Sequence, residues 1–228
     1  ARVYVVHTSC EPALRAAVEA RARGVDMTVE VVAPHLALDR SYAEQKGFEG
    51  AKYVMSPPLR EAGNIDAMWR GIRAGHVATI GTDHAPFDFK GQKEMGREDF
   101  TKIPNGIPSV QERVVLAHEL GVRRGRIDLQ TMVAACSTNA ARMFGLYPRK
   151  GTIREGADGD LVVFDPERRV TLSKSWSASK VDYCAFEGWE VAGTPTHVAV
   201  RGALQVRDGE FVGEIGRGRF LRRETSRR

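Results

Sequence analysis

Short apolar runs alternate with helical patterns through the first 145 or so residues, and that alternation points to β/α units built around a parallel sheet. Val3-Tyr4-Val5-Val6 reads as a buried strand that runs directly into His7. From Pro12, apolar or small residues at Leu14, Ala17 and Val18 keep helical spacing, with Pro12 in the first turn and Gly24 as the stop. Met27 to Val32 is a strand rich in β-branched residues that ends before Pro34, and Tyr53-Val54-Met55 reads as a shorter extended stretch ended by Ser56-Pro57-Pro58. Glu61 to Ala74 reads as a helix stopped by Gly75, and Val77 to Ile80 as a further strand that turns at Gly81-Thr82-Asp83-His84. Val110, Val114 and Ala117 mark one more helix; Leu129, Met132, Val133 and Cys136 mark another, capped by Asp128 and closed before Gly145.

Between these elements, Ala85 to Pro108 is a long polar segment broken by Gly91, Gly96, Pro104 and Gly106. Loops of that length inside a folded unit are usually functional. Beyond Gly151 the texture changes to short strands (Leu161 to Phe164, Thr196 to Val200, Leu204 to Val206, Glu210 to Val212), separated by Gly, Asp-Pro and Arg-Gly turns, which predicts an antiparallel β module. A β/α barrel needs eight units and about 250 residues. The chain supplies about three, so half a barrel is what the pattern carries.

The formal net charge of +5 has a local origin: six arginines lie between Arg217 and Arg228 against Glu224 alone. The rest of the chain is balanced, and only Phe220 offers a stacking surface in the tail, so nucleic-acid binding is not expected. No apolar run approaches the roughly 18 residues of a spanning helix, and the first ten residues lack the pattern of a signal peptide, so no membrane partner is expected. Three cysteines (Cys10, Cys136, Cys184), odd in number and without a CxxC pair, suit a reducing cytoplasm better than a disulfide framework.

Two polar residues stand directly at the C-terminal ends of expected parallel strands: His7 and Asp83. In barrels that edge collects catalytic groups, because side chains from several strands converge there. Taken singly, a strand-end histidine reads as a hydrogen-bonded structural residue and an aspartate in Gly-Thr-Asp-His as a turn residue. Together they suit a metal hydrolase, since imidazole is a common neutral zinc ligand and a carboxylate both binds metal and moves a proton. A catalytic zinc usually holds three protein ligands, and His35, His76, His118 and His197 are poor candidates to complete the set. Cys10 reads as a helix-packing residue, and His84 as support beside Asp83 rather than a ligand.

The runs VVHTSCEPAL, MSPPLR, GTDHAPFDFKGQK, FTKIPNGIPSVQER, STNAARMFGLYPRKGTI and DLVVFDP resemble, in order and over essentially the whole chain, the D-hydantoinase/dihydropyrimidinase group of cyclic amidohydrolases. That family's chains are about twice as long. The resemblance implies the C-terminal half of a (β/α)8 TIM barrel over residues 1–150, strands of a small β-sandwich over 151–212, and a basic tail over 213–228. It implies two divalent metal ions, zinc being the expected identity, with His7 binding one and Asp83 binding the other and acting as proton carrier. Ser56 and Asn105 match positions whose main-chain groups hydrogen-bond the amide or imide edge of a small cyclic substrate. The family's His-x-His pair, the carbamylated lysine that bridges the metals, a further histidine and an oxyanion-stabilising tyrosine are not in this sequence.

The implied reaction is attack of a metal-bridging hydroxide on the ring carbonyl, with Asp83 carrying the proton to the departing nitrogen, to give an N-carbamoyl amino acid. Allantoinase and dihydroorotase share the strand-end aspartate, but FTKIPNGIPSVQER resembles hydantoinases more. Metal-free dihydropyrimidinase-like scaffold proteins keep the fold without the ligands, so His7 and Asp83 argue for the enzyme. Family members are commonly homotetramers, and the Arg217–Arg228 tail is a candidate for subunit contacts.

Overall fold

In the computed structural model, which describes residues 1–223, the strands β1 (Val3–Val5), β2 (Met27–Val32) and β3 (Thr79–Gly81) form a parallel sheet in the order β1-β2-β3. The last five residues of the basic tail lie outside the described residues, and with them part of the expected subunit-contact segment. Val5 pairs with Val29, Glu30 with Thr79 and Val32 with Gly81. Consecutive strands as neighbours, each followed by a helix, is the connectivity of a β/α barrel.

The strand pleat sorts the side chains onto two faces. Val29, Val31 and Ile80 are buried, in one hydrophobic cluster with Leu14 of α1 (Glu11–Ala22) and Met68, Trp69 and Ile72 of α3 (Gly63–Arg73). Burying each such side chain contributes about 1.5–3 kcal/mol. The opposite face carries Tyr4, Thr28, Glu30 and Thr79, whose register puts them on one side. Trp69 also closes a hydrogen bond, donating Nε1–H to the Leu36 carbonyl at 3.1 Å in the short α2 (Ala33–Ala37).

The second helical stretch is longer than its spacing indicates. α4 (Glu112–Leu116) continues in wider π-type turns through Ala117–Arg123, and α5 (Leu129–Val133) runs through Ala134–Thr138 into α6 (Asn139–Met143). Asp128 caps α5 as expected, its carboxylate accepting the Thr131 N–H at 2.7 Å. The extended stretch expected at Tyr53-Val54-Met55 starts later: Glu49–Tyr53 forms a 3-10 turn and Val54 after it is extended. Tyr53 is buried with its ring 5.2 Å from that of Tyr42. A three-residue apolar run carries no period that separates a strand from a buried turn, and packing decided for the turn.

Beyond Gly151, β4 (Leu161–Thr171), β5 (Glu190–Val200), β6 (Ala203–Arg207) and β7 (Glu210–Phe211) form one antiparallel sheet in sequence order. The described residues supply this single layer of the expected sandwich. β5 begins six residues before the Thr196 read from the sequence, because Pro195 falls beside a register shift against β4, where a missing N–H is tolerated. The sheet is seated on the helices: His118 Nδ1 meets the Ala192 carbonyl at 2.8 Å and Glu119 accepts the Ala192 N–H at 3.0 Å. Leu172, Tyr183, Phe186 and Val191 join the same hydrophobic cluster as the barrel residues. Among the described residues no helix is long and apolar enough to cross a membrane.

Candidate active site

His7 follows β1 by two residues with φ +40°, and Asp83 follows β3 by two residues with φ +48°. A positive φ is uncommon for a residue with a side chain, and both sharp turns stand at the C-terminal edge of the sheet, on the two strands that flank β2. The first turn is held from β2: the His7 N–H donates to Glu30 Oε1 at 3.3 Å and the Thr8 N–H to the Glu30 carbonyl at 2.8 Å. Glu30 also accepts the Tyr4 hydroxyl at 2.5 Å, and Tyr4 Oη lies 2.8 Å from Thr79 Oγ1, so one polar network crosses all three strands. Burial, reinforced by the Glu30 hydrogen bond, pushes the Tyr4 phenol above its usual range. Gly81 leaves room for this network, since a Cβ there would lie 2.6 Å from Glu30 Oε2.

Ser56 lies in the connection from β2 to α3 and Asn105 in the connection from β3 to α4, and both are exposed. The structure brings the two segments together: the Gly106 N–H donates to the Val54 carbonyl at 3.0 Å. Gly106 has φ +150°, and a Cβ there would fall 2.3 Å from the Ala85 carbonyl, so the Asn105 turn is pinned against the start of its own loop. The chain around Asp83 is tied to the end of that loop by His84, whose Nδ1 accepts the Ser109 and Val110 N–H groups at 3.0 and 3.2 Å. With Nδ1 an acceptor, the ring is the neutral Nε2–H tautomer, and burial holds its pKa below the usual value.

Two further residues at this edge, His35 and Lys93, stand outside the candidate set drawn from the sequence. His35, set aside there, stands three residues past β2 and is 3 % exposed. Its Nε2 lies 3.1 Å from the Pro57 carbonyl, while Nδ1 finds no hydrogen-bond partner among the described residues. Burial pushes the imidazole down to about 4, so it is neutral at pH 7 and Nε2–H is the donor. The signal was available, because His35 follows its strand much as His7 follows β1. Lys93 gave none: it is fully buried in the long loop, and a lone lysine in a polar segment reads as solvated.

His7 and Asp83 offer an imidazole nitrogen and a carboxyl oxygen, a donor pair suited to zinc or a similar divalent cation. Among the described residues, however, no group of three or more His, Cys, Asp or Glu side chains is arranged to hold a metal ion. The chain therefore fits part of a ligand set rather than a whole one. A cleft of about 1270 Å³ opens at the other end of the sheet, lined by Arg2, Asp26, Gly75, Ala78 and Phe144 among others. None of His7, Ser56, Asp83 and Asn105 borders it, and strand-end chemistry outweighs size in locating the site.

The sequence profile of the amidohydrolase family matches residues 6–205. A D-hydantoinase of Geobacillus stearothermophilus is 48% identical over 222 residues, which cover 97% of this chain and 47% of the relative. The crystal structure of dihydropyrimidinase from Brevibacillus agri superposes with a TM-score of 0.98 at 47% identity, covering all of this chain and 50% of that one. A D-hydantoinase (dihydropyrimidinase) from Thermus sp. does so with a TM-score of 0.96 at 54% identity, covering 98% and 49%. The present chain spans about half the length of the curated relatives it matches. With the profile covering most of its length, this chain belongs to the amidohydrolase family.

Proposed function

We propose that this chain is the C-terminal part of a metal-dependent hydrolase that opens the cyclic amide bond of hydantoins or dihydropyrimidines to N-carbamoyl amino acids. The observation that carries the reading is the pairing of His7 and Asp83 at one edge of a parallel sheet, each at a positive φ after a strand that flanks β2. Strands that share a neighbour lie about 9.5 Å apart, a separation suited to two side chains that lean inward to serve adjacent cations. The reading assigns the bridging carbamylated lysine and the remaining ligands to residues outside these 228, and keeps 1–150 as barrel, 151–212 as sandwich strands and 213–228 as tail.

A pair of divalent cations, zinc being the expected identity, supplies when bound an activated water and a polarised carbonyl. His7 would hold one cation through an imidazole nitrogen. Asp83 would hold the other, and its carboxylate would take up the proton of the attacking water and hand it to the ring nitrogen as the C–N bond breaks. Without that proton the nitrogen leaves as an anion and the ring recloses. Ser56 and Asn105 present main-chain groups to the amide or imide edge of the ring, which fixes its carbonyl in place before attack.

The test is metal analysis of the complete polypeptide that contains this chain, together with its turnover of hydantoin and of dihydrouracil. About two divalent cations per subunit and ring opening are expected. Metal-free protein inactive on both rings overturns the reading in favour of a non-catalytic scaffold, and a preference for allantoin or dihydroorotate moves the substrate assignment. Light scattering tests the homotetramer, and fractionation the reducing compartment that three free cysteines suit.

A further inference from the structure

The loop from Ala85 to Pro108 contains one fully buried charged side chain, which the chemistry above does not use. Lys93 opens a short 3-10 turn (Lys93–Gly96), is 0 % exposed, and turns its ammonium toward two main-chain carbonyls: Val54 at 3.2 Å and Pro104 at 3.0 Å. Val54 stands two residues before Ser56, and Pro104 immediately before Asn105. The Val54 carbonyl also accepts the Gly106 N–H, so Lys93 and Gly106 close a ring of main chain around both segments. No carboxylate among the described residues pairs with Lys93, and burial alone pushes it down to about 8.

Keeping a cation buried without a counter-ion opposes folding. A tie between two loops needs only a neutral donor, so a charge at this point calls for a further reason. The Pro104 carbonyl and the Asn105 N–H belong to one peptide unit. A cation hydrogen-bonded to the carbonyl oxygen polarises that unit and makes its N–H a stronger donor, by the cooperativity seen along hydrogen-bond chains.

We propose that Lys93 is a positioning residue for the substrate: its ammonium locks the Val54–Ser56 and Pro104–Asn105 segments into one wall and strengthens the Asn105 N–H that faces the ring. The proposal rests on the reading that main-chain groups of Ser56 and Asn105 bind the amide or imide edge. It extends that reading to a residue that touches no substrate atom and no cation. Because the wall holds the ring in ground and transition states alike, losing Lys93 acts on binding before chemistry.

The experiment uses the full-length, metal-loaded enzyme, with hydantoin and dihydrouracil as probes, assayed well below the unfolding temperature of each variant. Lys93→Met keeps the apolar stem and removes every donor. The expected result is a KM at least tenfold higher, a kcat loss smaller than the KM rise, unchanged metal content, and faster amide hydrogen exchange in residues 54–56 and 105–107. A KM within twofold of wild type, a kcat loss larger than the KM rise, or loss of metal overturns the proposal. Should Lys93→Met fail to fold, Lys93→Gln, which keeps a neutral donor, is expected to raise KM, and an unchanged KM there overturns it equally. Wild-type enzyme that opens neither ring overturns the parent reading and this one together, whereas active wild type with an unaffected variant overturns this one alone.

Discussion

The imidazole of His35 holds the Pro57 carbonyl at 3.1 Å, one residue past Ser56, from a position just beyond β2. His35→Leu leaves the Pro57 carbonyl without its donor and is expected to lower stability by about 1–3 kcal/mol. His35→Gln restores an N–H and is expected to stay within about 1 kcal/mol of wild type. Denaturant midpoints of the full-length variants measure both, and equal losses in the two would refute a hydrogen-bond role.

Asp83→Ala in the metal-loaded enzyme removes the proton carrier, and a fall in kcat of about 10²–10⁴-fold is expected. Steady-state turnover of hydantoin is the measurement. Retention of more than about a tenth of the wild-type rate rejects the role.

His7→Ala takes away an imidazole ligand. Metal analysis after gel filtration is expected to show roughly one divalent cation fewer per subunit than wild type, with activity lost in proportion. Full metal occupancy in the variant would place the ligand elsewhere.

Ser56→Ala leaves the main-chain groups in place, so KM is expected to stay within about threefold of wild type. A large rise in KM would transfer the contact from the backbone to the hydroxyl.

Lys93 gives stability a pH dependence of known sign. Its folded pKa of about 8 lies below the unfolded value of about 10.4, so between them the unfolded chain binds more protons and stability rises with pH. The contribution is present in full above about pH 10.4 and is lost as pH falls through the folded value near 8. Unfolding of wild type and Lys93→Met is compared across that window, so that groups common to both cancel. Wild type should gain on the variant by up to about 1.4 kcal/mol per pH unit, and parallel curves would reject a buried ammonium.

The strand-end positions of His7 and Asp83 were legible because each follows an apolar run whose partner spacing and flanking helices leave one reading. Met27–Val32 was read to the residue for the same reason. Tyr53 falls in a 3-10 turn rather than the extended stretch because three apolar residues suit a strand and a buried turn equally, and packing of its ring in the hydrophobic cluster and beside Tyr42 favours the turn. Pro195 hid the first half of β5, since a proline forbids an interior strand unless a register shift removes the need for its N–H.

The sequence alone determined the β/α pattern, the change of architecture after Gly151 and the residue types at the strand ends, all of which depend on neighbours within a few positions. Tertiary structure decided which distant segments meet: Lys93 with Val54 and Pro104, His35 with Pro57, Glu30 with Tyr4 and His7. Those contacts join residues between 11 and 39 positions apart. A buried cation or a held carbonyl follows from how the loops pack, and side-chain identity at one position carries no trace of it.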